Sequence, residues 1–204
     1  MTLKQQILKW AYPVLVTYKN LIGANKKLVQ NRMVTPKLPF HSLSASLNDG
    51  SELSFETLKN KKVLIVNTAS NCGYTRQYEE LQKLYNDHSE NLVVIAFPAN
   101  DFKEQEKASD EEIASFCQVN FGVSFPIARK STVIKTMQQN KVFEWLTHRE
   151  LNGWNDRQPS WNFSKYLVNE RGSLTHYFDP AVSPLSIEVQ QAINDETDKG
   201  GLKK

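Results

Sequence analysis

The sequence predicts an α/β domain: a central mixed sheet flanked by helices, led by a β-hairpin and an extra N-terminal helical segment. Three observations carry this prediction. Val63-Leu64-Ile65-Val66 and Leu92-Val93-Val94-Ile95-Ala96-Phe97 are unbroken apolar runs that suit strands covered on both faces. Between them Tyr78, Leu81, Leu84, Tyr85 and His88 recur at helical spacing, so strand, helix and strand should pair in parallel through a right-handed crossover. Further along, FSKYLVNERGSLTHYF reads as two antiparallel strands around a turn at Asn169 to Gly172.

The elements follow in order. Residues 1–38 form a basic extension, expected to be helical, and Val34-Thr35-Pro36-Lys37-Leu38-Pro39 is its linker into the domain. Phe40 to Leu47 alternates, Asn48-Asp49-Gly50 turns, and Leu53 and Phe55 return, which is a hairpin pattern. After the strand at 63–67, Thr75 can cap a helix running to His88. Ser109-Asp110-Glu111-Glu112 fits a capping box for a helix that puts Ile113, Phe116 and Cys117 on one face until Gly122 stops it. Val142, Trp145 and Leu146 mark a short helix, and Ser183-Pro184 caps a last one with Leu185, Val189, Ala192 and Ile193 facing inward. This is the element order of a thioredoxin-like fold.

A chain of 204 residues accommodates one domain with a sizeable core, here 39–195, plus the extension and a polar, disordered tail at 196–204. The net charge of +3 hides an asymmetry: residues 1–48 carry +7 with no acid, and residues 49–204 sum to −4. The acidic body lacks the Lys/Arg stripe with interleaved aromatics of a nucleic-acid binder. No glycine pattern for a dinucleotide or nucleoside triphosphate is present, and the four histidines are scattered without metal-ligand spacing, so neither cofactor nor metal is expected. Two cysteines exclude a disulfide scaffold and a four-thiolate zinc site. They leave a reversible pair, a static bond or two free thiols.

The extension leaves two readings open. Its apolar residues are interrupted by Lys9, Pro13 and Lys19, so neither a spanning helix nor a cleaved signal is expected. It either packs on the domain as extra helix or lies on an anionic membrane surface through residues 1–36.

Cys72, in NTASNCGYT, falls in the turn between the first buried strand and its helix, where a helix dipole stabilises a thiolate. No histidine is earmarked as its base. The alternative is a thiolate held by neutral hydrogen-bond donors, which calls for amide and indole N–H groups.

Four stretches in order resemble the glutathione peroxidase family: NTASNCGYT, FPANDFKEQEKASDEEI, ASFC and WNFSKYLV, over roughly residues 40–193. The resemblance implies that Cys72 is the peroxidatic residue, with Gln105, Trp161 and Asn162 as its donors. It implies a peroxidase of hydrogen peroxide and organic or lipid hydroperoxides, working through a sulfenic acid. Cys117 matches the second cysteine of the thioredoxin-dependent branch, although its helix face alone describes a small buried hydrophobe. A Cys72–Cys117 disulfide then requires the helix starting near Ser109 to unwind partly after oxidation. The implied reductant is thioredoxin; glutathione acting directly, or a sensor relaying oxidation to a partner protein, are the alternatives. A paired, re-reducible cysteine favours a reducing cytoplasm.

The chain departs from the family at Ala99, Asp101, Lys103 and Lys107. Asp101 would raise a nearby thiol pKa, so it should point away or pair with a lysine. Only 12 residues separate His148 from Trp161, which resembles the monomeric branch with an open active site.

Overall fold

The computed structural model describes residues 2, 3, 5–7, 10–12, 14, 27, 28 and 35–195. The expected polar tail at 196–204 lies outside them, as do most of residues 13–34. The strands are β1 (Lys27–Leu28), β2 (Ser44–Ser46), β3 (Glu52–Ser54), β4 (Lys62–Thr68), β5 (Leu92–Pro98), β6 (Lys165–Val168) and β7 (Leu174–Phe178). The helices are α1 (Gln77–Asp87), α2 (Asp110–Phe121), α3 (Lys141–Thr147), α4 (Arg149–Asn152) and α5 (Ile187–Asn194).

The main sheet has the order β1-β7-β6-β4-β5, with β4 and β5 parallel and the remaining pairs antiparallel. β2 and β3 form the separate hairpin, with Ala45 opposite Leu53. This is the α/β thioredoxin-like arrangement. β1 adds an edge strand inside the extension, a feature its sequence does not signal.

Strand alternation splits the core into two layers. Leu64, Val66, Val94, Ala96 and Leu167 face α1, α2 and α5, where Leu81, Ile113, Cys117 and Val189 are buried against them. Val63, Ile65, Val93, Ile95 and Tyr166 face Phe40, Phe55, Phe143 and Trp145. Each fully buried aliphatic of this kind contributes roughly 1.5–3 kcal/mol, so both faces of β4 and β5 hold the sheet in place. Trp145 also closes the linker, its indole N–H donating to Leu38 O at 2.8 Å.

The capping box at Ser109 and Glu112 forms, and Gly122 ends α2 with a left-handed φ of 63°. Two expected caps differ. α1 begins at Gln77 with no side-chain cap, because the Thr75 hydroxyl is engaged in the preceding loop. α5 is capped by Ser186, which accepts from Val189 N–H, while Ser183 donates to Glu80 and accepts from Leu185 N–H one turn earlier.

Candidate active site

β4 ends at Thr68, and the chain makes a tight loop before α1. Cys72 N–H donates to Thr75 Oγ1 at 3.1 Å, and that hydroxyl lies 2.9 Å from Ala69 O and 2.8 Å from Cys72 O. Thr75 therefore shapes the loop around Cys72 rather than capping the helix. Glu106 fastens the other side: its Oε2 accepts from Ser70 N–H at 2.7 Å and from Ser70 Oγ at 2.8 Å. Glu106 is fully buried, and its own N–H donates to Asn100 Oδ1.

Trp161 and Asn162 arrive from the loop before β6. Asn67, near the end of β4, clamps that loop: its Nδ2 donates to Trp161 O at 3.2 Å and its Oδ1 accepts from Ser164 N–H at 3.1 Å. Phe163 N–H donates to Asn67 O at 2.6 Å. Phe163 has φ of 70°, a left-handed conformation costly for a bulky residue, and its ring packs edge-on against Tyr78. That enforced turn aims Trp161 and Asn162 back toward Cys72.

Gln105 follows two more left-handed residues, Lys103 (φ 52°) and Glu104 (φ 51°). Asn162 Nδ2 donates to Gln105 Oε1 at 3.1 Å, and Asn71 N–H donates to Gln105 O at 3.1 Å. The Trp161 ring lies against Phe102, with the Lys103 ammonium 5.8 Å from its centroid. Asp101 turns away as expected, but toward a backbone rather than a lysine: its Oδ2 accepts from Val133 N–H at 2.7 Å. Lys107 pairs instead with Glu104 at 2.6 Å.

The fold thus gathers Cys72, Trp161, Asn162 and Gln105. Burial pushes the Cys72 thiol above its ordinary value, and the Tyr74 N–H, the Trp161 indole, the Asn162 amide and the Gly73 N–H pull it back. The Tyr74 N–H stands 3.4 Å from Cys72 Sγ. All four donors are neutral near pH 7, so they favour the thiolate without a titrating partner, while burial outweighs them and holds the thiol above its ordinary value.

Cys117 is kept apart from this group. It lies buried on α2 and unbonded to Cys72, in the core layer that the Cys72 loop also caps. Burial pushes its thiol up to about 12; the influence of the Tyr78 hydroxyl lowers it in part, and Glu106 raises it further. Among the described residues no three His, Cys, Asp or Glu gather in a way that could hold a metal ion.

Several structural partners of the site were not legible in the sequence. Asn67 and Glu106 read as a strand end and as one acid in a charged loop. Lys165 reads as one polar residue in a strand, yet it is fully buried and donates to Phe163 O at 2.7 Å and to Pro180 O at 3.3 Å.

Known proteins resemble this chain over about three quarters of its length. The family model described as glutathione peroxidase matches residues 40–147. A glutathione peroxidase homolog, BsaA, of Halalkalibacterium halodurans is 40% identical over 152 residues, covering 74% of this chain and 96% of that protein. Glutathione peroxidase-like peroxiredoxin 2 of Saccharomyces cerevisiae is 38% identical, covering 74% of this chain and 93% of its own. The crystal structure of Trgpx in apo form superposes with a TM-score of 0.59 at 28% identity, over 77% of this chain and 94% of that one.

Proposed function

The chain belongs to the glutathione peroxidase family and is a peroxidase, and from that premise we propose that Cys72 is its peroxidatic residue and thioredoxin its reductant. The observation that carries the proposal is the donor set converging on Cys72 Sγ, from Tyr74, Trp161, Asn162 and Gly73. The substrates are hydrogen peroxide and organic or lipid hydroperoxides.

In the first step the Cys72 thiolate attacks one peroxide oxygen. An S–O bond forms, the O–O bond breaks, and the thiol's proton ends on the departing oxygen as water or alcohol. Cys72 is oxidised to a sulfenic acid. The departing oxygen carries the developing negative charge, and amide and indole N–H groups fixed before the reaction stabilise it without reorganising. Gln105 Oε1 already accepts from Asn162, and its NH₂, which has no hydrogen-bond partner among the described residues, donates to that oxygen.

In the second step the Cys117 thiol displaces water from the sulfenic acid, forming a Cys72–Cys117 disulfide. A reductant dithiol then reopens it. Cys117 starts buried on α2, so this step requires the first turns of that helix to open. The relatives named glutathione peroxidase-like peroxiredoxins support the thioredoxin-type donor.

A second reading rests on one observation. A thiol buried and pushed up to about 12 is a poor attacking group, which favours glutathione reducing the sulfenic acid directly. Steady-state assays with each reductant decide between them. Thioredoxin turnover that is lost in Cys117→Ser supports the disulfide route; glutathione turnover unaffected by that substitution supports the other.

We assign the catalytic domain to 39–195, with 1–38 an extension and 196–204 a tail. The short region between His148 and Trp161 supports a monomer, and the re-reducible cysteine pair supports a reducing cytoplasm. None of the described helices is long and apolar enough to cross a membrane.

A further inference from the structure

Large exposed apolar side chains are scattered over the domain but aligned in the extension. Residues 3, 5–7, 10–12 and 14 are helical, and Leu3, Ile7, Trp10 and Val14 recur at separations of four, three and four. That spacing places them along one helical face, and their exposures are 73%, 58%, 83% and 71%. Isolated exposed hydrophobes are ordinary; four in register on one face are a surface.

The same helical residues are anchored on another side. Tyr12 is 4% exposed and packs edge-on against Tyr74, with ring centroids 6.2 Å apart. Gln5 Nε2 donates to Ser70 O at 3.4 Å. Both contacts fall on the loop that carries Cys72, so the apolar stripe is fixed relative to that loop.

We propose that the Leu3-Ile7-Trp10-Val14 stripe docks the protein onto an anionic lipid bilayer, lying in its interface with the anchored face of the helix, and the Cys72 loop beneath it, turned away from the lipid. Charge identifies the occupant. Residues 1–48 carry +7 with no acid, while the rest of the chain sums to −4. An anionic surface attracts the extension and repels the body, so it selects both the partner and the face presented to it. A second copy of the chain would bring one uncompensated basic segment against another, which opposes self-association through this face. The consequence for catalysis rests on the peroxidase reading: docking concentrates the enzyme on the surface that holds the bilayer's own hydroperoxides.

The experiment is co-sedimentation of the full chain with phosphatidylcholine vesicles, with and without phosphatidylserine. It compares the wild type with Ile7→Gln/Trp10→Gln. Both side chains are exposed, and hydrogen peroxide turnover and thermal unfolding of the variant are measured alongside to show an unchanged fold. The proposal expects partitioning onto the anionic vesicles only, weakened by salt, and lowered by about tenfold or more in the variant. Turnover of a phospholipid hydroperoxide in those vesicles should fall with it, while hydrogen peroxide turnover stays. Equal partitioning onto both vesicle types, no partitioning, or partitioning unchanged in the variant would overturn it. So would a dimer of the wild type that the variant dissolves. Binding is read without turnover, so an inactive wild type counts against the peroxidase reading alone.

Discussion

Asn162 Nδ2 donates to Gln105 Oε1 at 3.1 Å, a single bond joining segments 57 positions apart. It fixes which end of each amide is spent. Asn162 also faces the Cys72 thiol, and in the proposed mechanism the NH₂ of Gln105 donates to an oxygen bound there.

Gln105 can be tested by charge. Gln105→Glu places a carboxylate where a donor stood, so it should raise the Cys72 pKa and slow oxidation by roughly a hundredfold. Gln105→Ala loses the donor without adding charge and should cost about tenfold. Stopped-flow oxidation at several pH values separates them, because only the glutamate variant should recover part of its rate as pH falls toward the carboxylate range.

Asn67 acts through its neighbours. Asn67→Ala leaves Ser164 N–H without its acceptor and frees Trp161 O, so we expect a loss of roughly 2–3 kcal/mol in urea unfolding. The Trp161–Asn162 loop would lose its aim, and kcat/KM should fall even at temperatures where the variant is folded. Unimpaired peroxide reduction in a destabilised variant would show that the clamp is structural only.

Glu106 gives a stability prediction with a definite sign. Burial raises its pKa above the ordinary carboxylate value, and its Oε1 has no hydrogen-bond partner among the described residues. A carboxyl raised in the folded state contributes stability below its unfolded pKa and loses it as pH rises through the folded value. Glu106→Gln keeps an acceptor for Ser70 and carries no charge. Its stability relative to wild type should therefore improve with rising pH, followed by urea unfolding from about pH 4 to pH 8. Glu106→Ala should instead cost about 2 kcal/mol or more, since it orphans both Ser70 donors.

Lys165 gives the opposite sign. Burial lowers its pKa from 10.5 to about 7, offset in part by Glu80, Asp179 and Cys72. Between those values the unfolded chain binds the extra proton, so this group's contribution to stability declines as pH falls through the window. Lys165→Met should gain on the wild type from about pH 10 down to about pH 7 and then level off. A constant difference across that range would mean that the lysine stays charged in the fold.

The order of elements was legible because it depends on local pattern. The runs at 63–66 and 92–97 can only be buried strands, and Ser109 with Glu112 makes a cap wherever it stands. The misplaced caps show where pattern stops. Thr75 has the chemistry of a cap, but Cys72 N–H takes its hydroxyl first, and Ser183 is drawn to Glu80 across the fold. The same limit hid the supports of the site. Glu106 beside Gln105 looks solvated in sequence, and only the approach of Ser70, 36 positions away, makes it a buried clamp. The left-handed turn at Phe163 has no signal in a residue type that avoids it.

The central claim is that Cys72 takes the oxygen and Cys117 resolves it. Its most direct test is mass spectrometry of the reduced protein after one equivalent of hydroperoxide, sampled over time. The account predicts an early sulfenic acid on Cys72, then a Cys72–Cys117 disulfide that thioredoxin reopens, with the disulfide absent in Cys117→Ser. Oxidation beginning at Cys117, or a sulfenic acid on Cys72 that persists without any disulfide, would contradict it.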